Sequence, residues 1–294
     1  TPDTITMDIK SNEFKIDGGL WDGRYLYDLY DEAHTPWSWH KPLFIHAKKI
    51  GITIFSSPFD NSAVDLLEDL NTPAYKIASC EAIDLPLINY VAQTGKPMII
   101  STGMADENEI QEAIHTAQMA GCKELAILHC VSGYPAPAGD YNLKTLADMQ
   151  KKFGLVTGLS DHTIDNTTAI ASIALGSAII EKHVTLDRNG GGPDDSFSLE
   201  SKGLSELCKG AKIAWESLGK VDYGLKSSEY DNIKFRRSLY CVKDIKKGEV
   251  ITKDHIKSIR PGYGLAPKYL DKVLSSKATC DISRGTPFLV DFFE

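Results

Sequence analysis

Residues 124–130 read ELAILHC, residues 155–162 read LVTGLSDH, and residues 178–183 read AIIEKH. Each is a short apolar run that ends in polar or ionisable side chains. None alternates strictly between apolar and polar, which is the pattern of a strand covered on both faces. The same rhythm extends toward the N-terminus. Ile52-Thr53-Ile54-Phe55 ends in Ser56-Ser57-Pro58, Ala74 to Ala78 ends in Ser79-Cys80-Glu81, and Pro97 to Ile100 ends in Ser101-Thr102-Gly103. Helical periodicity separates the runs: Ser62–Leu70, Leu85–Thr94, Asp106–Ala120, Leu143–Lys152 and Asn166–Leu175. A last helix spans Ser201–Leu218, and a leading helix, broken near Pro36 and Pro42, spans Arg24–Lys49. Six strand–helix units in series predict parallel βαβ architecture. Because polar residues gather at the C-terminal end of every strand, a TIM (β/α)8 barrel is expected rather than an open sheet. Its first strand, first helix and second strand are expected to precede Thr1. A chain that began at Thr1 would leave strand edges open and is expected to be poorly folded or inactive.

The composition is that of an ordinary globular chain of 294 residues, with 42% hydrophobic and 24% charged residues. A net charge of −8 argues against a nucleic-acid partner, while allowing local basic residues to meet an anion. No apolar run is long enough for a membrane span and no signal peptide is visible. The six cysteines form no CxxC pair and suggest neither zinc nor a disulfide framework, so a cytoplasmic protein with reduced thiols is expected. Three regions are predicted: a barrel domain over 1–219, a polar linker over 220–235, and a small glycine-turned, largely β domain over 236–294.

The strand ends hold the candidate chemistry. His162 and His183 follow late strands; if the strands are neighbours, two imidazoles converge and can hold a divalent ion, although each can equally be a hydrogen-bonded core residue. Lys76, inside its strand, can meet an anionic substrate, pair with an acid, or act as a Schiff-base amine. Glu81 can work as an acid or base, or cap the next helix. Ser57, Ser79, Ser101 and Ser160 can donate to phosphate oxygens or cap helices. Asp194, in the loop after Gly190-Gly191-Gly192, can touch substrate or stand in solvent. The cluster of Tyr30, His34, Trp37, Trp39 and His40 is read as helix packing. No GxSxG elbow, GxGxxG or Walker motif is present.

Taken in order, Phe55-Ser56-Ser57-Pro58-Phe59, Tyr75-Lys76-Ile77-Ala78-Ser79, Ser101-Thr102-Gly103-Met104, Leu159-Ser160-Asp161-His162 and Glu181-Lys182-His183 resemble the sialic acid synthase family. Lys243 to Gly248 and Arg260-Pro261-Gly262 resemble that family's small antifreeze-like (SAF) domain. Gly19-Leu20-Trp21-Asp22, Ala33-His34-Thr35-Pro36-Trp37 and Arg237-Ser238-Leu239-Tyr240 are similar to the pseudaminic acid synthase branch. The resemblance implies a transferase that condenses phosphoenolpyruvate with 2,4-diacetamido-2,4,6-trideoxy-altrose and water, releasing phosphate. It implies Mn²⁺, with Mg²⁺ or Co²⁺ as substitutes, on His162 and His183, and counts these with Glu81 as catalytic. Ser57, Phe59, Lys76, Ser79, Ser101, Ser132, Tyr134, Ser160, Asp194 and Arg260 are implied to bind substrate. Ser132 stands where some relatives carry asparagine. Arg260 is implied to reach the partner's barrel in a domain-swapped homodimer. A glutamate on the family's first strand, and a lysine and glutamine on its second, have no counterpart after Thr1. The alternatives are an N-acetylneuraminate or legionaminate synthase, a metal-free Schiff-base aldolase using Lys76, and a non-catalytic glycan-binding protein.

Overall fold

The computed structural model describes residues 1–294, which divide into two compact units, Thr1–Gly219 and Lys220–Glu294. The first unit opens with α1 (Leu26–Ala33), α2 (Trp37–Ile50) and α3 (Asn61–Asp69). Alternation then sets in: β1 (Tyr75–Ile77), α4 (Leu85–Ala92), β2 (Met98–Ser101), α5 (Glu107–Met119), β3 (Leu125–Cys130), α6 (Thr145–Phe153), β4 (Val156–Asp161), α7 (Thr167–Ile173), β5 (Ile179–Lys182) and α8 (Ser201–Leu218). The five strands pair in chain order and all in parallel, giving a TIM-barrel-like half-barrel.

Two sequence expectations need correction. Residues 52–55 form no strand: they lie mostly exposed, and the segment meets the sheet only where Ser56 bridges Tyr75. A strand is held by a ladder of bonds, and here only Lys76 N–H reaches across, to the Ser56 carbonyl at 3.3 Å. The long leading helix is two helices. Pro36 stands between them as the N-cap of α2, whereas Pro42 is carried inside α2.

Register decides which side chains share a face. Ser101 aligns with Leu128, Cys130 with Ser160, and Ser160 with Glu181. By alternation Lys76, Ser101, Cys130, Ser160 and Glu181 line the inner face. Tyr75, Ile77, Met98, Ile100, Leu125 and Ile127 face outward and form the core with Val64, Leu67, Ile88, Val91, Ile114 and Ala117 of the covering helices. Helix starts are set by acids: Asp60 accepts from Ala63 N–H, Asp84 from Leu87 N–H, and Asp106 closes a capping box with Glu109.

Gly158 in β4 has no room for a side chain. An added Cβ would stand 2.5 Å from Leu128 Cδ2, 2.6 Å from the Ile179 carbonyl oxygen and 2.8 Å from Ile179 Cβ. The carbonyl is backbone and cannot move unless β4 parts from β5. Gly158→Ala is therefore expected to cost about 3 kcal/mol, the upper range for overpacking. At about 2–4 °C per kcal/mol for a chain this size, the melting temperature should fall by about 6–12 °C, measurable by calorimetry.

In the second unit the expected strand at 237–242 forms as β6 (Ser238–Cys241), antiparallel to β7 (Ile256–Ile259). A short α9 (Leu270–Val273) and isolated bridges such as Val250 to Lys277 complete it around Leu239, Cys241, Ile251, Val273 and Phe288. Residues 220–235, read as linker, include an exposed 3-10 segment, Ser227–Phe235. No helix is long and apolar enough to cross a membrane.

Candidate active site

A cleft of about 390 Å³ opens at the C-terminal ends of the strands. It is lined by Ser57, Lys76, Ala78, Ser79, Ser101, Tyr134, Ser160, His162, Glu181, Lys182 and His183. Most of the candidates drawn from the sequence thus converge on one cavity. A second groove of about 270 Å³ lies beside α5 and α6, where Lys152 already pairs with Glu107 and Asp148.

The cation at the floor is Lys76, only 7% exposed. Its Nζ stands 3.3 Å from Glu181 Oε1 and donates to the Ile77 carbonyl at 3.2 Å. Glu181 Oε1 also accepts from Ser160 Oγ at 2.8 Å. Glu181 was not among the candidates, yet it joins Lys76 to Ser160. The parity that put His183 in the cleft applies equally to Glu181, two residues earlier.

The serines cap no helix, since Asp60, Asp84, Asp106 and Asn166 occupy those positions. Ser79 Oγ accepts from Gly103 N–H at 3.1 Å. Ser101 Oγ is buried and has no partner. A buried hydroxyl without a bond costs about 1–3 kcal/mol, so its place in a cleft marks a position for a ligand oxygen. Ser132 and Ser79 crowd Gly103, whose Cβ would fall 2.2 Å from Ser132 Oγ.

His162 and His183 follow the inward Ser160 and Glu181 at the same parity, and their ring centroids lie 5.3 Å apart. His162 Nδ1 is 2.8 Å from the Val131 carbonyl, which can only accept, so Nδ1 carries the proton. Neutral His162 then offers the Nε2 lone pair. His183 Nδ1 lies 3.3 Å from Asp194 Oδ2, an arrangement that orients a ligating imidazole. Two imidazoles suit a divalent ion whose other positions are filled by water or substrate; no cluster of three or more His, Cys, Asp or Glu makes a closed site. Burial disfavours the charged form of His162, but its interactions with the Cys130 sulfur and the Val131 carbonyl outweigh it and raise its pKa. In turn, burial pushes the Cys130 thiol up, while bonds with His162 and Ser79 bring it below the ordinary thiol value.

Glu81 does not cap α4; Asp84 does. Its Oε2 is buried and unpartnered. Burial pushes its pKa up to about 7, with Asp84 adding to the rise and Lys76 opposing it. The carboxyl binds a proton more tightly folded than unfolded. Its contribution to stability is full below the unfolded value near 4.5 and is lost as pH rises through about 7. Between pH 5 and 8 the wild-type melting temperature should therefore fall more than that of Glu81→Gln, as read by thermal melts across that range.

Aromatic rings cluster beside the two imidazoles, with Phe197 fully buried among them. Tyr134 lies 4.3 Å from His162, 5.5 Å from Phe197 and 5.4 Å from Trp21, centroid to centroid. Phe59 is half-buried one residue before the α3 cap and Asp194 lies beyond His183; neither lines the cleft. Arg260 belongs to the second unit, exposed at the end of β7. Sequence reasoning missed Phe197, and gave Trp21 no place in the site.

Residues 1–223 match the NeuB family and residues 236–294 match the SAF domain. A pseudaminic acid synthase of Helicobacter pylori is 40% identical, over 100% of this chain and 87% of that protein. An N,N'-diacetyllegionaminic acid synthase of Campylobacter jejuni is 40% identical over 82% of this chain and 73% of its own length. Among solved structures, the spore coat polysaccharide biosynthesis protein SpsE of Bacillus subtilis aligns with a TM-score of 0.61 at 30% identity, covering 97% of this chain and 84% of its own. The N-acetylneuraminic acid synthetase of Leptospira borgpetersenii aligns with a TM-score of 0.66 at 30% identity, covering 72% of this chain and 74% of its own.

Proposed function

The chain belongs to the NeuB family of nonulosonic acid synthases, and from that premise we propose that it condenses phosphoenolpyruvate with 2,4-diacetamido-2,4,6-trideoxy-altrose to form pseudaminic acid. One observation carries the proposal. A buried ammonium, Lys76, and a buried hydroxyl without a partner, Ser101, share an inner face with two imidazoles. That set suits a small multiply charged anion placed beside a carbonyl.

In this reading Lys76 neutralises the phosphate or carboxylate of phosphoenolpyruvate, Ser57, Ser79 and Ser101 donate to its oxygens, and Ser160 joins them by turning its O–H from Glu181 to the substrate. His162 and His183 would hold a divalent ion, Mn²⁺ by preference with Mg²⁺ or Co²⁺ as substitutes, which supplies Lewis acidity toward the sugar aldehyde. The enol carbon C3 of phosphoenolpyruvate forms the new C–C bond to the aldehyde carbon. Glu81, held near neutrality in its titration, delivers a proton to the aldehyde oxygen, which becomes a hydroxyl. Water adds at C2; as the C2–O bond to phosphate breaks, C2 becomes a ketone, one proton of the water restores Glu81 and the other leaves with the phosphate. Tyr134 is proposed to bound the sugar side within the cleft, and Asp194, Ser132 and Phe59, which stand outside its lining, to meet the sugar only where it extends beyond that lining.

The pseudaminic branch is favoured over the legionaminic one because the pseudaminic relatives match over 97% to 100% of the chain, against 82% for the legionaminic relative of Campylobacter jejuni. A Schiff-base aldolase is disfavoured because an ion-paired lysine must surrender its proton before attacking a carbonyl. The resemblance of Arg260-Pro261-Gly262 to the family's segment supports a homodimer in which this arginine serves the partner's barrel. The free thiols are in keeping with a cytoplasmic enzyme.

The test is phosphate release from phosphoenolpyruvate with Mn²⁺, offering the altrose sugar, its 2,4-diacetamido-mannose counterpart and N-acetylmannosamine separately. Release with the first alone supports the proposal. Release with either of the others moves the chain to another branch, and no release with any defeats the condensation.

A further inference from the structure

Trp21 lies in a turn far from the barrel strands in sequence. Lys15 and Tyr25 bridge at its base, Ile16 N–H donates to the Arg24 carbonyl, and Gly23 N–H donates to the Ile16 carbonyl. Gly18 and Gly19, at φ +81° and +75°, make the reversal. The tip is tied to the site. Trp21 Nε1 donates to the Pro193 carbonyl at 2.9 Å, one residue before the Asp194 that orients His183. The indole also packs on Tyr134, which lines the cleft and lies tilted against His162.

We propose that Trp21, backed by Tyr134, forms the apolar wall for the end of the sugar remote from its aldehyde and selects a C6 methyl over a C6 hydroxymethyl. This rests on the condensation argued above. The aldehyde reacts near the imidazoles; Trp21 meets them only through Tyr134, one ring farther out. An aromatic wall accepts a methyl without loss, whereas a hydroxymethyl pressed against it gives up water and gains no partner. The indole N–H cannot serve as that partner because Pro193 holds it.

The experiment compares kcat/KM for 2,4-diacetamido-2,4,6-trideoxy-altrose with that for the same sugar bearing a 6-hydroxyl. An apolar pocket rejects an added hydroxyl by at most about 100-fold, so a wild-type preference of about 10–100 is expected. Trp21→Ala should bring it to within about 3-fold, on the same scale. Trp21→Phe, which keeps a ring and loses the N–H, should retain most of it. KM for phosphoenolpyruvate should not move, and Trp21→Phe should melt within a few degrees of wild type. Equal losses on both sugars in Trp21→Ala, with the ratio kept, would mean a purely structural role and overturn the proposal. If the wild type turns over only N-acetylmannosamine, the branch assignment fails separately. The ratio is then read between that sugar and its 6-deoxy analogue, and an unchanged ratio or a wild-type preference for the hydroxyl overturns the proposal. No turnover of any sugar by wild type refutes the condensation and this wall with it.

Discussion

Replacing His183 with alanine is expected to reduce phosphate release about a thousand-fold while leaving the melting temperature within a few degrees, and EDTA should reduce the wild type comparably. The magnitude follows from the several kcal/mol that a polarising ion supplies, at 1.36 kcal/mol per decade of rate. His183 is the sharper test of the pair because it is only half-buried and its one polar contact is with Asp194. His162 is also structural: its buried ring donates from Nδ1 to the Val131 carbonyl at 2.8 Å, so His162→Ala should lose both activity and stability. Asp194→Asn should retain the ligand and lose its orientation, weakening Mn²⁺ binding about 10–100-fold. Competition for one lone pair fixes the sign of the pH dependence, and the raised pKa of His162 only moves it toward higher pH. Proton and ion compete for Nε2, so Mn²⁺ affinity should climb with pH through the titration of His162 and bind with proton release. Activity unaffected by EDTA and by His183→Ala would leave the imidazoles without a ligand role.

What could be read from the sequence, and what could not, divides along a physical line. Runs such as ELAILHC and LVTGLSDH declare themselves because a strand buried on both faces must be apolar throughout. Residues 52–55 are similarly apolar but make no ladder, only the next residue, Ser56, bridging to Tyr75, and composition alone does not report how many neighbours a strand has. Lys76, Ser101, Ser160, His162 and His183 were legible because strand-end position and parity survive in the sequence. The partnership of Lys76 with Glu181 was not, since it depends on register accumulated across four strand pairings. The capping roles considered for Glu81 and the serines failed against aspartates three or more residues downstream and, for Ser160, against Asn166, which stand at the helix starts instead. Trp21 escaped for a topological reason: its hydrogen-bond partner lies 172 residues away, a distance that no local pattern encodes.

Replacing Lys76 with methionine should raise KM for phosphoenolpyruvate by about 100- to 1,000-fold. Truncating one member of a buried charge pair typically costs about 2–5 kcal/mol, much of it from the charge left alone; in this pair Lys76 is buried while the Glu181 side chain is 38% exposed, so most of the loss comes from the missing cation. Here the charge left alone is Glu181, a carboxylate bonded to Ser160 within a cleft proposed to admit an anion. The single variant thus suffers twice: a cation is lost and an uncompensated anion repels the substrate. Adding Glu181→Gln removes the second effect, so the double variant should bind phosphoenolpyruvate more tightly than Lys76→Met alone, and the two changes should not add. Lys76→Arg keeps the charge and should retain measurable turnover, which no Schiff-base mechanism permits because a guanidinium cannot form the imine. A cycle in which the changes add, together with a lysine adduct trapped by borohydride, would reassign Lys76 from anion binding to covalent catalysis.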